Sequence, residues 1–317
     1  MENTLSSSMG SFADELFIHL RERGYQARIV SIDRLPLLKK EIEGFLSQGS
    51  FDKEFYQERL SWFRFQPPEG LPRARSVIVV AVPRPQTRAI FTLNGQRRPL
   101  IIPPTYTAYD RTREHVEDLL AKILSRKKYS LAKTALPLKL LAVRSGLAQY
   151  GRNNVCYVAG MGSFLQLAAV YSDMPCEEDS WQRAKVMKSC EECELCRRAC
   201  PTGAIPADRF LLRAERCIVY HNEKKGDVSF PDWVDASWHN CIVGCMHCQR
   251  VCPQNRKFIE WIGEEEEFSE EETTLLLEGA PRDRLPAGTL SKLERLSLAD
   301  YLDSLHRNLS VFFNKHK

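Results

Sequence analysis

The pattern of apolar and polar positions predicts a chain that alternates helices and strands. Apolar residues recur at helical spacing after Ser11, which can cap a helix together with Asp14, and Gly24 ends this pattern. The segment SVIVVAV at 76–82 is apolar on both faces, which is typical of a strand in the centre of a sheet. We therefore expect an α/β or α+β fold.

Later segments continue this alternation. LPLKLLAVRSGL at 136–147 predicts a helix, and FLQLAAVYSDM at 164–174 predicts another apolar strand. The proline-rich stretch 83–104 predicts an irregular excursion, and the acidic run EEEEFSEEE at 264–272 predicts a solvated helix start or a surface linker. The segment from Leu290 onward has helical spacing and predicts one or two helices.

Composition and charge exclude few classes of protein. The chain has 317 residues and a net charge of +4, so it can form one large domain or two, and its mild basicity does not indicate nucleic-acid binding. The apolar runs are all shorter than the ~18 residues that a membrane helix needs. Residues 1–10 are interpreted as a frayed tail and lack a signal-peptide pattern. We therefore expect a cytoplasmic protein with no membrane partner.

The candidate chemistry is concentrated between residues 190 and 252, which contain nine of the eleven cysteines. The first run, CEECELCRRACP, has the spacing of bacterial ferredoxins, where three thiolates bind one 4Fe–4S cube and the fourth binds a second cube. The second run, CMHCQRVCP, repeats part of this spacing. The spacing therefore predicts two 4Fe–4S clusters. Structural zinc is the alternative, because paired CxxC elements also build zinc ribbons.

Several stretches together resemble a known family. RSVIVVAV, AVRSGLAQYGRNN, GSFLQLAAVYSD, the first cysteine run, ERCIVYHNEKKG and GCMHCQRVCPQN follow one another between about Leu71 and Asn255. This combination resembles the epoxyqueuosine reductases and their relatives, the reductive dehalogenases. The resemblance implies a nitroreductase-like cobalamin-binding domain at 1–180, a ferredoxin-like double 4Fe–4S domain at 181–258, and a helical tail packed on the fold at 259–317.

The resemblance also implies a set of ligands for each cofactor. The ligands implied for the first cluster are Cys190, Cys193, Cys196 and Cys252, and those for the second are Cys200, Cys217, Cys245 and Cys248. Spacing alone also allows Cys241 in the place of Cys217. The residues implied for the cobalamin site are Gly146, Leu147, Gly151, Arg152, Asn153, Ser163, Tyr220 and His221, although the glycines, the arginine and the histidine also have ordinary structural interpretations.

The chain departs from the family where the general acid is expected. Two family carboxylates align with Ala132 and Leu138, which cannot deliver a proton. Tyr106 or Tyr109 is then the candidate catalytic proton donor, although each also fits a packing role. The long C-terminal repeats of the family are missing, and the acidic run would repel phosphate, so we do not expect transfer RNA as a partner.

These observations favour a soluble cobalamin-dependent reductase that uses two 4Fe–4S clusters to reduce a small organic substrate. Its expected electron donor is a ferredoxin or a flavodoxin. Two alternatives stay open: an iron–sulfur electron-transfer protein that serves a partner corrinoid protein, and a divergent epoxyqueuosine reductase. The loss of both carboxylates favours the electron carrier, whereas the retention of GLAQYGRNN and GSF favours an enzyme.

Overall fold

The secondary structure is known for residues 11–313 of a computed structural model, and the frayed tail expected at residues 1–10 lies outside this range. The strands are β1 (Gln26–Ser31), β2 (Ser76–Pro83), β3 (Gln86–Leu93), β4 (Gln96–Ile102), β5 (Leu131–Lys133), β6 (Gln149–Tyr150), β7 (Cys156–Tyr157), β8 (Leu165–Ser172) and β9 (Ile262–Phe268). The α-helices are α1 (Phe12–Arg21), α2 (Leu35–Ser47), α3 (Lys53–Arg59), α4 (Tyr109–Leu124), α5 (Leu138–Arg144), α6 (Leu195–Ala199), α7 (Ile218–Asn222), α8 (His247–Arg250), α9 (Glu270–Leu277), α10 (Ala287–Arg295) and α11 (Leu302–Phe313).

An antiparallel sheet of order β1-β2-β8-β5 has both of its faces covered by helices. Alternate residues of β2 point to opposite faces, as the two-residue period of a strand requires. Val77 and Val79 pack in a core with α2 and α5, whereas Ile78 and Val80 pack in a second core with α1 and α4. The predicted central position of this strand is confirmed, because burial on both faces is what its continuous apolar run indicated.

The helix boundaries follow local capping signals. Ser11 accepts a hydrogen bond from the Asp14 amide, and the Asp14 carboxylate accepts one from the Ser11 amide, so the predicted capping box is present at the start of α1. The helix predicted at 136–147 is present but shorter, and Gly146 follows it with a φ of 75°, the left-handed conformation that favours glycine.

The proline-rich stretch 83–104 is a hairpin of β3 and β4, so its prediction as an irregular excursion is wrong. The chain turns at Asn94 and Gly95, whose φ angles of 49° and 71° fit a two-residue hairpin turn. Pro99 lies in β4, which is the edge strand where the missing amide of a proline is tolerated.

The acidic run is wrongly predicted as a linker, because its first half is strand β9 and only its second half begins a helix, α9. Strand β9 pairs in parallel with β3, and its carboxylates form ion pairs with neighbouring arginines: Glu265 pairs with Arg88 at 2.8 Å, and Glu267 pairs with Arg97. The resulting sheet of order β4-β3-β9 shares a core with the C-terminal helices, which includes Phe268.

Between β8 and β9 the chain runs through the cysteine-rich segment, where α6, α7 and α8 have only four or five residues each. No helix within residues 11–313 is long and apolar enough to cross a membrane.

Candidate metal centre

Four cysteines from the two ends of the cysteine-rich segment converge on one small cavity. Cys190, Cys193 and Cys196 lie before and within α6, and Cys252 follows α8. Helices α6 and α8 pack against each other, and this contact brings the distant Cys252 to the first three cysteines. Burial raises the pKa of the Cys196 thiol to about 11. A bound metal would therefore supply the positive charge that keeps Cys196 deprotonated as a ligand.

Arg152 holds the backbone at the entrance to this cavity. Its guanidinium donates hydrogen bonds to the carbonyl oxygens of Cys190 at 2.7 Å and of Glu191 at 2.9 Å, and it lies 3.6 Å from the Glu194 carboxylate. The neighbouring Gly151 lines the same cavity. A Cβ atom at Gly151 would lie 2.5 Å from the Asn153 amide oxygen, so only glycine permits this close approach.

Asn153 and Tyr157 lie between the two groups of cysteines. The Asn153 amide donates a hydrogen bond to the Tyr157 hydroxyl at 3.0 Å, and both side chains line the cavity of the first group. Burial raises the pKa of Tyr157, and the adjacent Cys252 raises it further. Asn153 also interacts with the thiol of Cys248, which belongs to the second group. The turn at 151–157 therefore contacts both groups.

The second group is defined by the electrostatic interactions of its thiols. Burial raises the pKa of Cys248, and the nearby Cys245 and Cys217 raise it further. Burial likewise raises the pKa of Cys217 to about 11, with an added contribution from Cys200. Cys200, Cys217, Cys245 and Cys248 are thus neighbours, as a second cluster needs.

Cys241 occupies a different environment from Cys217. It is 1% exposed, and it lies beside Ile101 at the point where the chain bridges to β4. Burial raises the pKa of Cys241 to about 12, and the effects of Arg250 and of the Met246 amide oppose that rise. Among the cysteines it interacts with Cys245, whereas Cys217 also interacts with Cys200 and Cys248. This arrangement favours Cys217 as the ligand, which stays a prediction.

A buried carboxyl group lies beside the second group of cysteines. Tyr106 donates a hydrogen bond to Glu223 Oε1, and Arg59 donates one to Glu223 Oε2 at 3.0 Å. Burial raises the pKa of Glu223, against the opposing effects of Tyr106 and Arg59. The charges of Cys217 and Glu223 affect each other, which places this carboxyl near the second group.

The two candidate proton donors differ in their surroundings. Tyr106 is held by Glu223, and its ring packs edge-on against Tyr301 at 5.7 Å. Tyr109 begins α4 with 38% of its surface exposed, and none of the contacts recorded within residues 11–313 joins it to the cysteines. Sequence reasoning missed Glu223, although it lies in the quoted segment ERCIVYHNE, because no local pattern shows that this carboxyl meets Tyr106 across 117 residues.

The loop before β8 is joined to the end of the cysteine-rich segment by a buried amide. Asn255 accepts a hydrogen bond from the Ser163 amide at 2.8 Å, and it donates to Ser163 Oγ at 2.8 Å and to the Gln249 carbonyl at 2.9 Å. Ser163 Oγ in turn donates to the Gln249 side chain. The polar groups of Ser163 are therefore used within the chain.

The eight residues expected at a cobalamin site do not form one site. Gly151, Arg152 and Asn153 line the cysteine cavity instead. The His221 ring bonds the Glu215 carbonyl at 2.8 Å, and the space beside Gly146 is filled by a glutamine side chain. The buried Tyr220 hydroxyl lies near Glu54 and Glu58, although within residues 11–313 its geometry forms no hydrogen bond. Leu147 is simply a core residue. These contacts do not fit a corrinoid held jointly by all eight residues.

Comparison with protein families identifies the cysteine-rich segment. Residues 189–255 match the family of 4Fe–4S double cluster binding domains. Over 71% of its length the chain is 28% identical to an epoxyqueuosine reductase from Staphylococcus aureus and 29% identical to one from Bacillus subtilis. It spans 59% and 56% of those two proteins. The predicted double 4Fe–4S module and the resemblance to epoxyqueuosine reductases are confirmed.

Comparison with solved structures confirms the α/β fold. Epoxyqueuosine reductases from Bacillus subtilis and Streptococcus thermophilus superpose with TM-scores of 0.62 and 0.65, at 24% and 19% identity, and each match covers 94% of this chain and 80% of the other. A reductive dehalogenase matches at a TM-score of 0.38.

One expectation about partners is overturned by these comparisons. A further epoxyqueuosine reductase structure, with a TM-score of 0.62, 23% identity and the same coverage, contains an epoxyqueuosine-modified tRNA stem loop. The expectation that transfer RNA is not a partner is therefore wrong, because it relied on the position at which the sequence ends and on the acidic run. Four of the carboxylates in that run form ion pairs within the fold. In both sequence and fold, this chain is similar to the epoxyqueuosine reductases.

Proposed function

We propose that this chain is a divergent epoxyqueuosine reductase, which passes electrons through two 4Fe–4S clusters to reduce an epoxyqueuosine-modified transfer RNA. The observation that carries the proposal is the convergence of Cys190, Cys193, Cys196 and Cys252 on one cavity, next to a second group of cysteines. In this proposal, transfer RNA replaces the small organic substrate that the sequence had indicated. The cytoplasmic location is part of the same proposal.

The clusters supply one-electron transfer at low potential when they are bound. The chain's own residues determine the surroundings in which this takes place. Arg152 fixes the carbonyl groups of Cys190 and Glu191, and Asn153 lies between the two groups of thiols. Hydrogen bonds and burial of this kind tune the potential of a cluster. The turn at 151–157 is thus well placed to set the difference in potential between the two clusters.

Reduction of an epoxide to an alkene and water consumes two electrons and two protons, and Glu223 with Tyr106 is the source that we propose for one of these protons. The Glu223 carboxyl is buried beside the second group of cysteines, and burial raises its pKa, so it keeps a proton to higher pH than an exposed glutamate does. Tyr106 shares a hydrogen bond with this carboxyl and orients it. This pair takes over the role of the carboxylates that are missing at Ala132 and Leu138.

The family resemblance also implies cobalamin as a cofactor. Because the eight residues expected to hold it make other contacts, we derive no step of the reaction through a corrinoid. Titration of the anaerobic protein with cobalamin, followed by its absorption bands and by gel filtration, tests this cofactor directly. Binding of about one equivalent would show that a corrinoid belongs to the enzyme and that its site differs from the arrangement seen here.

The experiment for the proposed function uses transfer RNA that contains epoxyqueuosine. Anaerobically reconstituted protein, with cobalamin and a reductant, is incubated with this RNA, and its nucleosides are separated by mass. We expect conversion of epoxyqueuosine to queuosine, and a Cys196→Ser control should not convert it. Absence of conversion by a protein with about eight irons per chain would favour the alternative of an iron–sulfur electron-transfer protein.

The proton source has its own test in the pH profile. Glu223 acts in its protonated form, so the rate should fall as pH rises through its raised pKa. Glu223→Gln should slow turnover and remove this limb of the profile, while Glu223→Asp should restore part of the rate. An unchanged profile in Glu223→Gln would exclude Glu223 as the proton source.

A further inference from the structure

Apolar side chains are exposed directly over the first group of cysteines. Leu195 lines the cysteine cavity, yet 45% of its surface is exposed. Pro253 lines the same cavity and is exposed, and Val251 is 39% exposed at the end of α8, which packs against α6. We call Leu195, Val251 and Pro253 the apolar centre. Adjacent exposed apolar groups of this kind mark interaction sites more often than single exposed residues do.

Basic side chains surround this apolar centre. Arg198 follows Leu195 by one helical turn, so the two share a face of α6. Arg250 directly precedes Val251. Lys188 belongs to the turn at 188–190, which a hydrogen bond from Gln254 to Ser189 holds against the turn after Cys252. We call Lys188, Arg198 and Arg250 the basic rim.

The charges of the basic rim are available to a partner. All three residues are exposed, and within the described residues 11–313 none of them forms an ion pair. The neighbouring Arg152 and Arg197 differ, because both pair with Glu194. Segments 188–198 and 250–257 together contain six basic and three acidic residues, so the surface has an excess of positive charge.

We propose that the apolar centre and the basic rim form the docking surface for an acidic one-electron carrier protein, which delivers electrons to the first cluster. In each encounter the reduced carrier loses one electron and the first cluster gains one, so two encounters supply a two-electron reduction. A small apolar contact with a charged rim suits this task, because electron-transfer complexes are small and short-lived. Complementary charge accelerates their association without requiring tight binding.

The apolar centre favours a protein over a nucleic acid at this surface. A phosphate backbone is bound by basic and polar groups, and it gains little from exposed leucine, valine and proline side chains. An acidic carrier gains from both parts of the surface. The inference rests on the first cluster of the proposed function, and it does not depend on which substrate the second cluster finally reduces.

The test measures how fast the first cluster is reduced by a carrier. Reduced acidic 2Fe–2S ferredoxin is mixed anaerobically with the holoprotein in a stopped-flow instrument, over a range of salt concentrations. Arg198→Glu and Arg250→Glu are the test variants. Arg73→Glu is the control, since Arg73 is an exposed arginine outside the cysteine-rich segment. Iron content and reduction by photoreduced deazaflavin, a small neutral donor, show whether each variant keeps its clusters.

We expect each test variant to lower the rate constant about tenfold at low salt, with Arg73→Glu unchanged. At roughly 1 M salt, where the screening length is about 3 Å, the rates of all proteins should converge. Reduction by deazaflavin should be the same throughout. Rates in Arg198→Glu and Arg250→Glu that equal the wild-type rate at every salt concentration would overturn the proposal.

Transfer RNA provides the second arm of the experiment. Added unmodified transfer RNA should leave the carrier reaction unaffected if the surface belongs to a carrier protein. Inhibition that is lost in Arg198→Glu would assign the surface to RNA and overturn the inference. Because reduction of the first cluster is observed directly, a protein that fails to convert epoxyqueuosine can still confirm this docking surface.

Discussion

Replacing Cys217 and Cys241 separately distinguishes a cluster ligand from a buried core cysteine. Cys217 interacts with Cys200 and Cys248, whereas Cys241 packs beside Ile101. Serine is the matched replacement in both cases, because it keeps the size of the side chain and removes the soft thiolate ligand. We expect Cys217→Ser to lose the second cluster and Cys241→Ser to keep both clusters.

We expect Cys217→Ser to lose iron, and we expect Cys241→Ser to keep its iron but to be less stable. Each complete cluster has four irons, so Cys217→Ser should fall from about eight to about four irons per chain. Cys241 is 1% exposed, and a serine hydroxyl left unpaired there costs about 1–3 kcal/mol of unfolding free energy. Cys241→Ser should therefore keep about eight irons in a less stable protein.

Iron and acid-labile sulfide, measured on anaerobically reconstituted protein, give the cluster count. Denaturant unfolding of the same samples gives the stability. Electron paramagnetic resonance of the reduced protein shows whether the two clusters still interact magnetically, and that interaction should vanish in Cys217→Ser. About eight irons in Cys217→Ser together with about four in Cys241→Ser would refute the reasoning and make Cys241 the ligand.

Three further changes test other parts of the site. Gly151→Ala should lose the first cluster, because the added Cβ would lie 2.5 Å from the Asn153 oxygen, while the control Gly70→Ala has open space and should keep it; iron analysis separates the two. Asn255→Ala should lower the unfolding free energy by about 3 kcal/mol, because three buried hydrogen bonds are lost; a loss below about 1 kcal/mol in denaturant titration would contradict this. Tyr106→Phe should slow turnover while leaving the iron content unchanged, and a full rate would exclude this tyrosine from proton transfer.

Local sequence patterns correctly predicted those elements whose own residues determine how they are buried. The run at 77–82 is apolar at every position, so it requires apolar neighbours on both faces, and it lies in the middle of its sheet. The hairpin at 86–102 contains a single proline, Pro99, and the other prolines of the stretch 83–104 lie outside it, so the richness of the stretch in proline does not indicate irregular structure there. The Asn94–Gly95 pair was the signal that would have identified the turn.

Other features depend on contacts that no local pattern contains. Four glutamates in a row have low strand propensity, yet β9 forms, because three of them pair with arginines on neighbouring elements. The cysteine spacing indicated two clusters, but the meeting of Cys252 with Cys190 depends on the packing of α6 on α8. The pairing of Glu223 with Tyr106 joins distant parts of the chain for the same reason.

The way in which the cysteine-rich segment is anchored has a consequence for metal uptake. Strand β8 ends at Ser172 and pairs with β2, whereas β9 begins at Ile262 and pairs with β3, the strand that directly follows β2. The two sheets thus fix both ends of a loop of about 90 residues. Closing a flexible loop of that length costs roughly 4 kcal/mol in entropy, beyond a constant that does not depend on length. Formation of the two sheets offsets this cost, so the anchored segment should acquire its clusters at lower iron and sulfide concentrations than the same segment cut from the chain.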